Sequence, residues 1–196
     1  MSDQRQYHHG DLRRALLDAA VAAVAERGPT AVTLRELARA VGVSHAAPVH
    51  HFGDKAGLLT AVAAEGFALL GDDLSAVRAR GGDIVEMGVA YVRFAIEHRA
   101  HFEVMFRPDL HRADDPILDR AGGRAYAQLT EGVAAANPSA AVDDSAVVAA
   151  WSLVHGFATL WNTGALAREL ADDPEAMTRT IARRLDFDTA SPAAES

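Results

Sequence analysis

The side chains best able to hold a phosphate or read a base edge gather between Arg35 and Lys55, where His45, His50 and His51 lie with an arginine ahead and a lysine behind. If Ser44 opens a short helix, His45, Ala46, Val49 and His50 share its outward face, because residues one, four and five apart fall on one side at 100° per residue. Lys55 then stands in the first turn of the following helix, where unpaired backbone N–H groups and the helix dipole already favour an anion. This set suits double-stranded DNA, with base edges met in the major groove and phosphates met beside it. Two readings compete: an αα-hairpin packed in a core, and a solvated surface lysine.

Other chemistry finds less support. His98, His101 and His111 have the residue type of metal ligands, but His98 and His101 straddle an expected helix boundary and no acidic partner completes a set. His8 and His9 are adjacent in a stretch without periodicity, so they define no geometry. We expect no metal and no cofactor. Cysteine is absent, which removes disulfides, thiolate sites and cysteine nucleophiles. No serine stands in a nucleophile elbow, so no catalytic residue is assigned and the chain is not expected to be an enzyme. Phe94, His98, Phe102, Met105, Tyr126, Trp151 and His155 supply aromatic and apolar surface at helical spacing, with a few polar atoms. Such side chains form a core, or wall a mostly apolar ligand cavity with one or two polar contacts.

The elements that must place these groups are helices. Thr33-Leu-Arg-Glu36 is a capping box, and Leu34, Leu37, Ala38 and Val41 follow at i, i+3, i+4 and i+7. Gly42 ends that helix and Ser44 is expected to cap the next, giving a helix-turn-helix. Pro48, four residues after that cap, is expected to tighten the start of the second helix. Ahead of the motif, residues 1–10 read as a flexible arm and Asp11 to Arg27 as a helix stopped by Gly28-Pro29. Behind it, Gly53-Asp54 caps a helix to about Ala79. Further helices are expected from Ile84 to about His98, His101 to Phe106, Pro116 to about Ala136, Ser145 to about Ala167, and from Asp172 to about Leu185. The class is therefore all-α, about nine helices, with no run that alternates long enough for a sheet.

The helix from Ser145 is apolar on two sides: Trp151 and His155 on one, Leu153, Gly156, Leu160 and Gly164 nearly opposite. A helix with two apolar faces needs two partners. Those four residues, with Met177 and Ile181 of the last helix, are the expected surface of a homodimer.

The chain has 196 residues, is 49% hydrophobic and carries a net charge of −8. An acidic total argues against a nucleic-acid partner, but its distribution does not. Residues 1–60 hold seven Lys and Arg against six Asp and Glu, a net of +1, and five of the nine histidines. The acidity lies elsewhere. No apolar run of about 18 residues is free of charge or turn residues, so we expect no membrane span and a cytoplasmic location.

With TLRELARAVGVSHAAPVHHFGDKAGLL after the first helix, YHHGDLR before it, and Trp151, His155 and Gly156 in the C-terminal part, the chain resembles the TetR family of bacterial transcriptional repressors. It is most similar to the group bearing a Trp-His-Gly signature. The resemblance implies a homodimer reading a palindromic operator and a small-molecule effector that changes the spacing of the two recognition helices. It implies residues 1–55 as the DNA-binding domain, 56–185 as the ligand-binding and dimerisation domain, and 186–196 as a tail. It assigns Thr33, Arg35, Ser44, His45, Ala46, Val49, His50, His51 and Lys55 to the DNA surface, with Lys55 on a phosphate. Val49 departs from the family, which usually places a tyrosine there; the phosphate bond of that hydroxyl is not carried over.

Overall fold

The structure, a computed structural model, describes residues 3–112, 114–136, 138, 144–167 and 172–184, with side chains from residue 11 onward. Among these residues it is all-α. The helices are α1 (Asp3–Arg27), α2 (Leu34–Val41), α3 (Ala46–Phe52), α4 (Lys55–Ala79), α5 (Ile84–Glu97), α6 (Arg99–Met105), α7 (Pro116–Ala136), α8 (Asp144–Asn162) and α9 (Pro174–Ala182), with a 3₁₀ turn at Pro29–Ala31. Helix α1 begins at Asp3 rather than at Asp11. Extending a helix that already exists fixes one residue per hydrogen bond, so a stretch without an apolar stripe can still be carried along. The expected tail from 186 to 196 and Leu185 lie outside the described residues, and so does Asp143, which with the described Asp144 is a candidate cap for the helix expected from Ser145.

The chain divides into two compact units. The first contains Met1–Leu69 and His98–Gly123. Its core is the stripe Leu16, Ala20 and Val24 of α1 against Leu37 of α2, Phe52 of α3, Leu58 and Val62 of α4, and Val104 of α6, all buried. Burying each such aliphatic side chain contributes about 1.5–3 kcal/mol, enough in sum to fix the short helices α2 and α3, which could not persist alone at eight and seven residues. Helices α4 and α6 approach closely at Gly66, where a Cβ would meet Met105 Sδ at 2.5 Å and His101 Cβ at 2.9 Å.

The second unit contains Leu70–Glu97 and Arg124–Ser196. Here α5 packs against both α8 and α9. Gly88 allows this, since a Cβ would reach Val154 Cγ1 at 3.1 Å. Thr178 of α9 is fully buried and keeps its hydroxyl satisfied by donating to the Pro174 carbonyl at 2.7 Å. Ion pairs Arg179–Glu86 and Arg93–Glu175, each 2.8 Å, join α9 to α5 at the surface, where they set register more than they add stability.

Candidate functional site

The helix-turn-helix begins where the capping box was read. Thr33 is extended (φ −130°, ψ 143°), and its Oγ1 accepts from the Glu36 N–H at 3.3 Å. The return bond differs from expectation: Glu36 Oε2 accepts from the Thr33 hydroxyl at 2.9 Å, while Arg27 Nη1 lies 3.5 Å from its other oxygen. These donors, the hydroxyl first, hold the Glu36 carboxyl below its ordinary pKa. Gly42 (φ 75°, ψ 31°) stops α2 in a left-handed conformation that favours glycine.

Ser44 does not cap α3 with its side chain. The capping position falls on His45, which is already helical (φ −61°, ψ −19°) and makes no side-chain cap bond; Ser44 contributes its carbonyl, 3.0 Å from the Ala47 N–H. Propensity for a hydroxyl cap is local, and here the backbone turn supplies the acceptor instead. The shift by one residue also disposes of the expected tightening at Pro48. As the third residue of α3, Pro48 occupies a position whose N–H would lack an intrahelical partner anyway, and its ring is buried. Arg35, Ser44, His45, Ala46, Val49 and His50 are exposed, and His51 is half-buried. The His51 ring stands between the His50 ring at 5.5 Å and Phe52 at 6.3 Å.

Gly53 (φ 79°) ends α3, its N–H bonded to the Val49 carbonyl at 2.8 Å. Asp54 Oδ1 then caps α4 by accepting from the Gly57 N–H at 2.8 Å, and Arg112 Nη2 reaches Asp54 Oδ2 at 3.1 Å. Both lower the Asp54 pKa, the Gly57 N–H first. The Arg112 backbone is held as well, its N–H donating to Thr60 Oγ1 at 2.9 Å. Lys55 is the first residue of α4, as expected, but its Nζ donates to the Thr30 carbonyl at 2.6 Å. Arg13 of α1 was not singled out from the sequence; its guanidinium lies 5.2 Å from the Phe52 ring centre at the end of α3. Its place in the YHHGDLR stretch was the available signal.

The proposed ligand residues fall into two separate groups. In the first unit Phe102 and Met105 are buried and His98 is half-buried; Phe106 makes edge contacts with Phe102 at 5.3 Å and Phe67 at 5.4 Å. In the second, Phe94 is buried in the core, Tyr126 is 46% exposed, and Trp151 and His155 share a partner that the sequence did not reveal. The Trp151 Nε1–H donates to the Tyr91 hydroxyl at 3.3 Å, and that hydroxyl lies 2.8 Å from His155 Nδ1. Burial lowers the His155 pKa and raises that of Tyr91. Which of the hydroxyl and Nδ1 donates is set by the tautomer of the His155 ring. The signal for Tyr91 was a tyrosine inside the apolar run GVAYV, since a buried phenol needs a partner. His98 and His101 have ring centres 5.7 Å apart, and no group of three or more candidate metal ligands gathers among the described residues.

Residues 16–62 match the family model "Bacterial regulatory proteins, tetR family", and residues 84–185 match "Tetracyclin repressor-like, C-terminal domain", which alone spans just over half of the chain. The chain belongs to the TetR family. It is similar to the HTH-type transcriptional regulator BetI of Rhizobium meliloti (strain 1021), 44% identical over 61 residues, which is 31% of this chain and 30% of that protein. The match to such curated relatives thus covers about a third of their length. A solved structure of a protein with unknown function from Rhodococcus sp. RHA1 is 31% identical, with a TM-score of 0.75 over 91% of this chain and 95% of the other. A bacterial regulatory protein in the tetR family from Rhodococcus RHA1 shares the fold at 20% identity and a TM-score of 0.66, covering 88% and 94%.

The TetR C-terminal match contains all six residues expected at a dimer surface. On α8, Leu153 and Gly156 are half-buried, Leu160 is 46% exposed, and nothing lies within 4 Å of where a Gly156 Cβ would be. Gly164 lies beyond the helix, which ends at Asn162. Its φ of 67° makes it the stop rather than part of a helical stripe: the Ala165 N–H turns back to the Leu160 carbonyl at 3.0 Å. On α9, Thr178 and Ala182 are buried, while Met177 and Ile181 are half-buried. As a TetR-family regulatory protein, the chain is assigned no catalytic residues. No helix among the described residues is long and apolar enough to cross a membrane.

Proposed function

We propose that the protein is a dimeric, ligand-responsive DNA-binding repressor of a palindromic operator. The observation that carries this reading is the outer face of α3, where His45, Ala46, Val49 and His50 are exposed while Pro48 and Phe52 anchor the opposite side in the core. A helix so held can enter a major groove, with Thr33, Arg35, Ser44, His51 and Lys55 on or beside the phosphates. The 61-residue likeness to a named transcriptional regulator supports the same assignment. Residues 1–55 are the DNA-binding part in this proposal and 56–185 the effector-binding and dimerisation part, in a cytoplasmic protein with no cofactor.

Two-fold symmetry matches half-sites about one helical turn apart. A small-molecule effector relieves repression if it binds the DNA-incompetent state better, and DNA must then weaken effector binding by the same factor. We place the dimer surface on Leu153, Gly156, Leu160, Gly164, Met177 and Ile181. Two candidate sets of effector contacts are proposed, each within one unit: Phe94, Tyr126, Trp151 and His155 in the second, and His98, Phe102 and Met105 in the first. Gel shift with the DNA upstream of the protein's own gene tests the reading; no specific, salt-sensitive shift with any upstream fragment refutes it.

A second reading, a helical small-molecule-binding protein that holds DNA weakly, draws on the Lys55 ammonium being bonded to Thr30 and on the +1 charge of residues 1–60. It predicts binding without sequence preference that vanishes at moderate salt.

A further inference from the structure

Helix α3 carries no lysine or arginine. Its sequence, AAPVHHF, offers a phosphate only histidines, so the cations that grip a backbone beside it must come from neighbouring elements. Six lysines and arginines lie between Asp11 and Lys55. Three are engaged within the protein: Arg14 pairs with Asp18 and Glu65, Arg27 with Glu26 and Glu36, and Lys55 Nζ donates to the Thr30 carbonyl. The other three, Arg13, Arg35 and Arg39, are exposed and pair with no carboxylate among the described residues. Of these, Arg13 is fastened to α3.

Arg13 belongs to α1, yet its guanidinium carbon stands 5.2 Å from the centre of the Phe52 ring, over the last residue of α3. At that distance the negative face of the ring attracts the cation. Phe52 is itself only 6% exposed, so the platform under the cation is fixed. From it a run of ring contacts leads to the outer face of α3, with His51 6.3 Å from Phe52 and His50 5.5 Å from His51. An exposed contact of this kind adds little stability. Its effect is to orient the guanidinium, which keeps its N–H donors at its edges, none of them given to a carboxylate among the described residues. That fork matches two oxygens of one phosphate.

We propose that Arg13 is a phosphate contact of the DNA interface, held by Phe52 so that it grips the backbone beside the C-terminal end of α3. The proposal rests on the reading of the chain as a DNA-binding regulator, and it adds a residue of α1 to a surface otherwise drawn from 33 to 55. Helix α1 thereby touches the duplex as well as packing behind α2 and α3. Because Arg13 meets a phosphate and not a base edge, it adds affinity without sequence preference.

The test compares the full-length protein with Arg13→Met, Arg13→Lys and Arg120→Ala on duplex from upstream of the protein's own gene and on unrelated duplex, over a range of salt. Methionine keeps an unbranched side chain against the Phe52 ring and carries no charge. It is expected to weaken both complexes by the same factor, roughly tenfold at about 0.1 M salt, and to lower the slope of log affinity against log salt by about 1. Lysine keeps the charge and the slope but loses the paired donors, so its affinity should fall between the two. Arg120 of α7 is also exposed and pairs with no carboxylate among the described residues, and its loss should leave the slope unchanged. Urea midpoints of the Arg13 variants should match the parent's. A slope that Arg13→Met leaves unchanged, a loss confined to the upstream sequence, an equal drop in slope from Arg120→Ala, or a loss that follows a fall in urea midpoint overturns the contact. The last is what a side chain that only props Phe52 would give. A parent protein that forms no specific, salt-sensitive complex brings down the DNA reading and the contact together; a parent complex that Arg13→Met leaves intact brings down the contact alone.

Discussion

Gly156→Ala separates a helix face packed against a second protomer from one that meets only solvent. Within the protomer the substitution is free of conflict, since nothing lies within 4 Å of the added methyl group. Alanine in place of glycine inside a helix stabilises by about 1 kcal/mol through backbone entropy alone. Gly122 of α7 has the same open surroundings and serves as the control. If α8 meets its symmetry mate at Gly156, the methyl enters a close helix contact, and overpacking costs about 1–3 kcal/mol. Gly122→Ala is therefore expected to raise unfolding stability by about 1 kcal/mol. Gly156→Ala should gain nothing or lose, and should weaken dimerisation by roughly fivefold or more, the factor for about 1 kcal/mol. Urea denaturation at two protein concentrations and sedimentation equilibrium read both quantities. Equal gains from the two variants, with an unchanged dimer dissociation constant, would refute the placement of the interface on this face.

Thr33→Ala removes the acceptor for the Glu36 N–H and the hydroxyl on its carboxylate, and should destabilise the protein by about 1 kcal/mol in urea denaturation. His50→Ala should weaken operator binding in a sequence-dependent way, whereas Lys55→Ala should weaken binding on all DNA alike and lower the salt slope by about 1; salt-dependent titrations with operator and unrelated DNA distinguish them. His101 and His155 both have folded-state pKa values below the ordinary value of 6.5. The unfolded chain therefore binds more protons just below that pH, and stability should be full above about 6.5 and fall as the pH drops toward the folded values. Urea midpoints at pH 7.5 and 5.5 check the sign, and His101→Phe should show a smaller loss than the parent.

Local signals carried much of the fold. Thr33, Gly42, Asp54 and Lys55 stand where a capping box, a left-handed stop, an acidic cap and a first-turn lysine were read, because each depends on neighbours within four residues. Signals of the same range failed where two local solutions compete. Ser44 was the better cap by propensity, yet its carbonyl and His45 form the turn. Gly164 lies at helical spacing from Leu160 and Gly156, and nothing in that spacing says whether a glycine packs or turns; its positive φ decides. The site chemistry was least legible. Tyr91 and His155 are 64 positions apart, on α5 and α8. Periodicity assigns each of them to a helix face but does not say which faces meet.

The contacts of Arg112 bear on how this chain tolerates change in length. Segments between helices, such as 107–112, ordinarily absorb insertions and deletions without effect on their neighbours. This one is fastened twice by a single residue, through its backbone to Thr60 and through its guanidinium to Asp54, the residue that both follows α3 and caps α4. One residue more or fewer between Arg107 and Arg112 would move the guanidinium away from that junction. A stretch that looks dispensable is thereby held to one length by the start of α4.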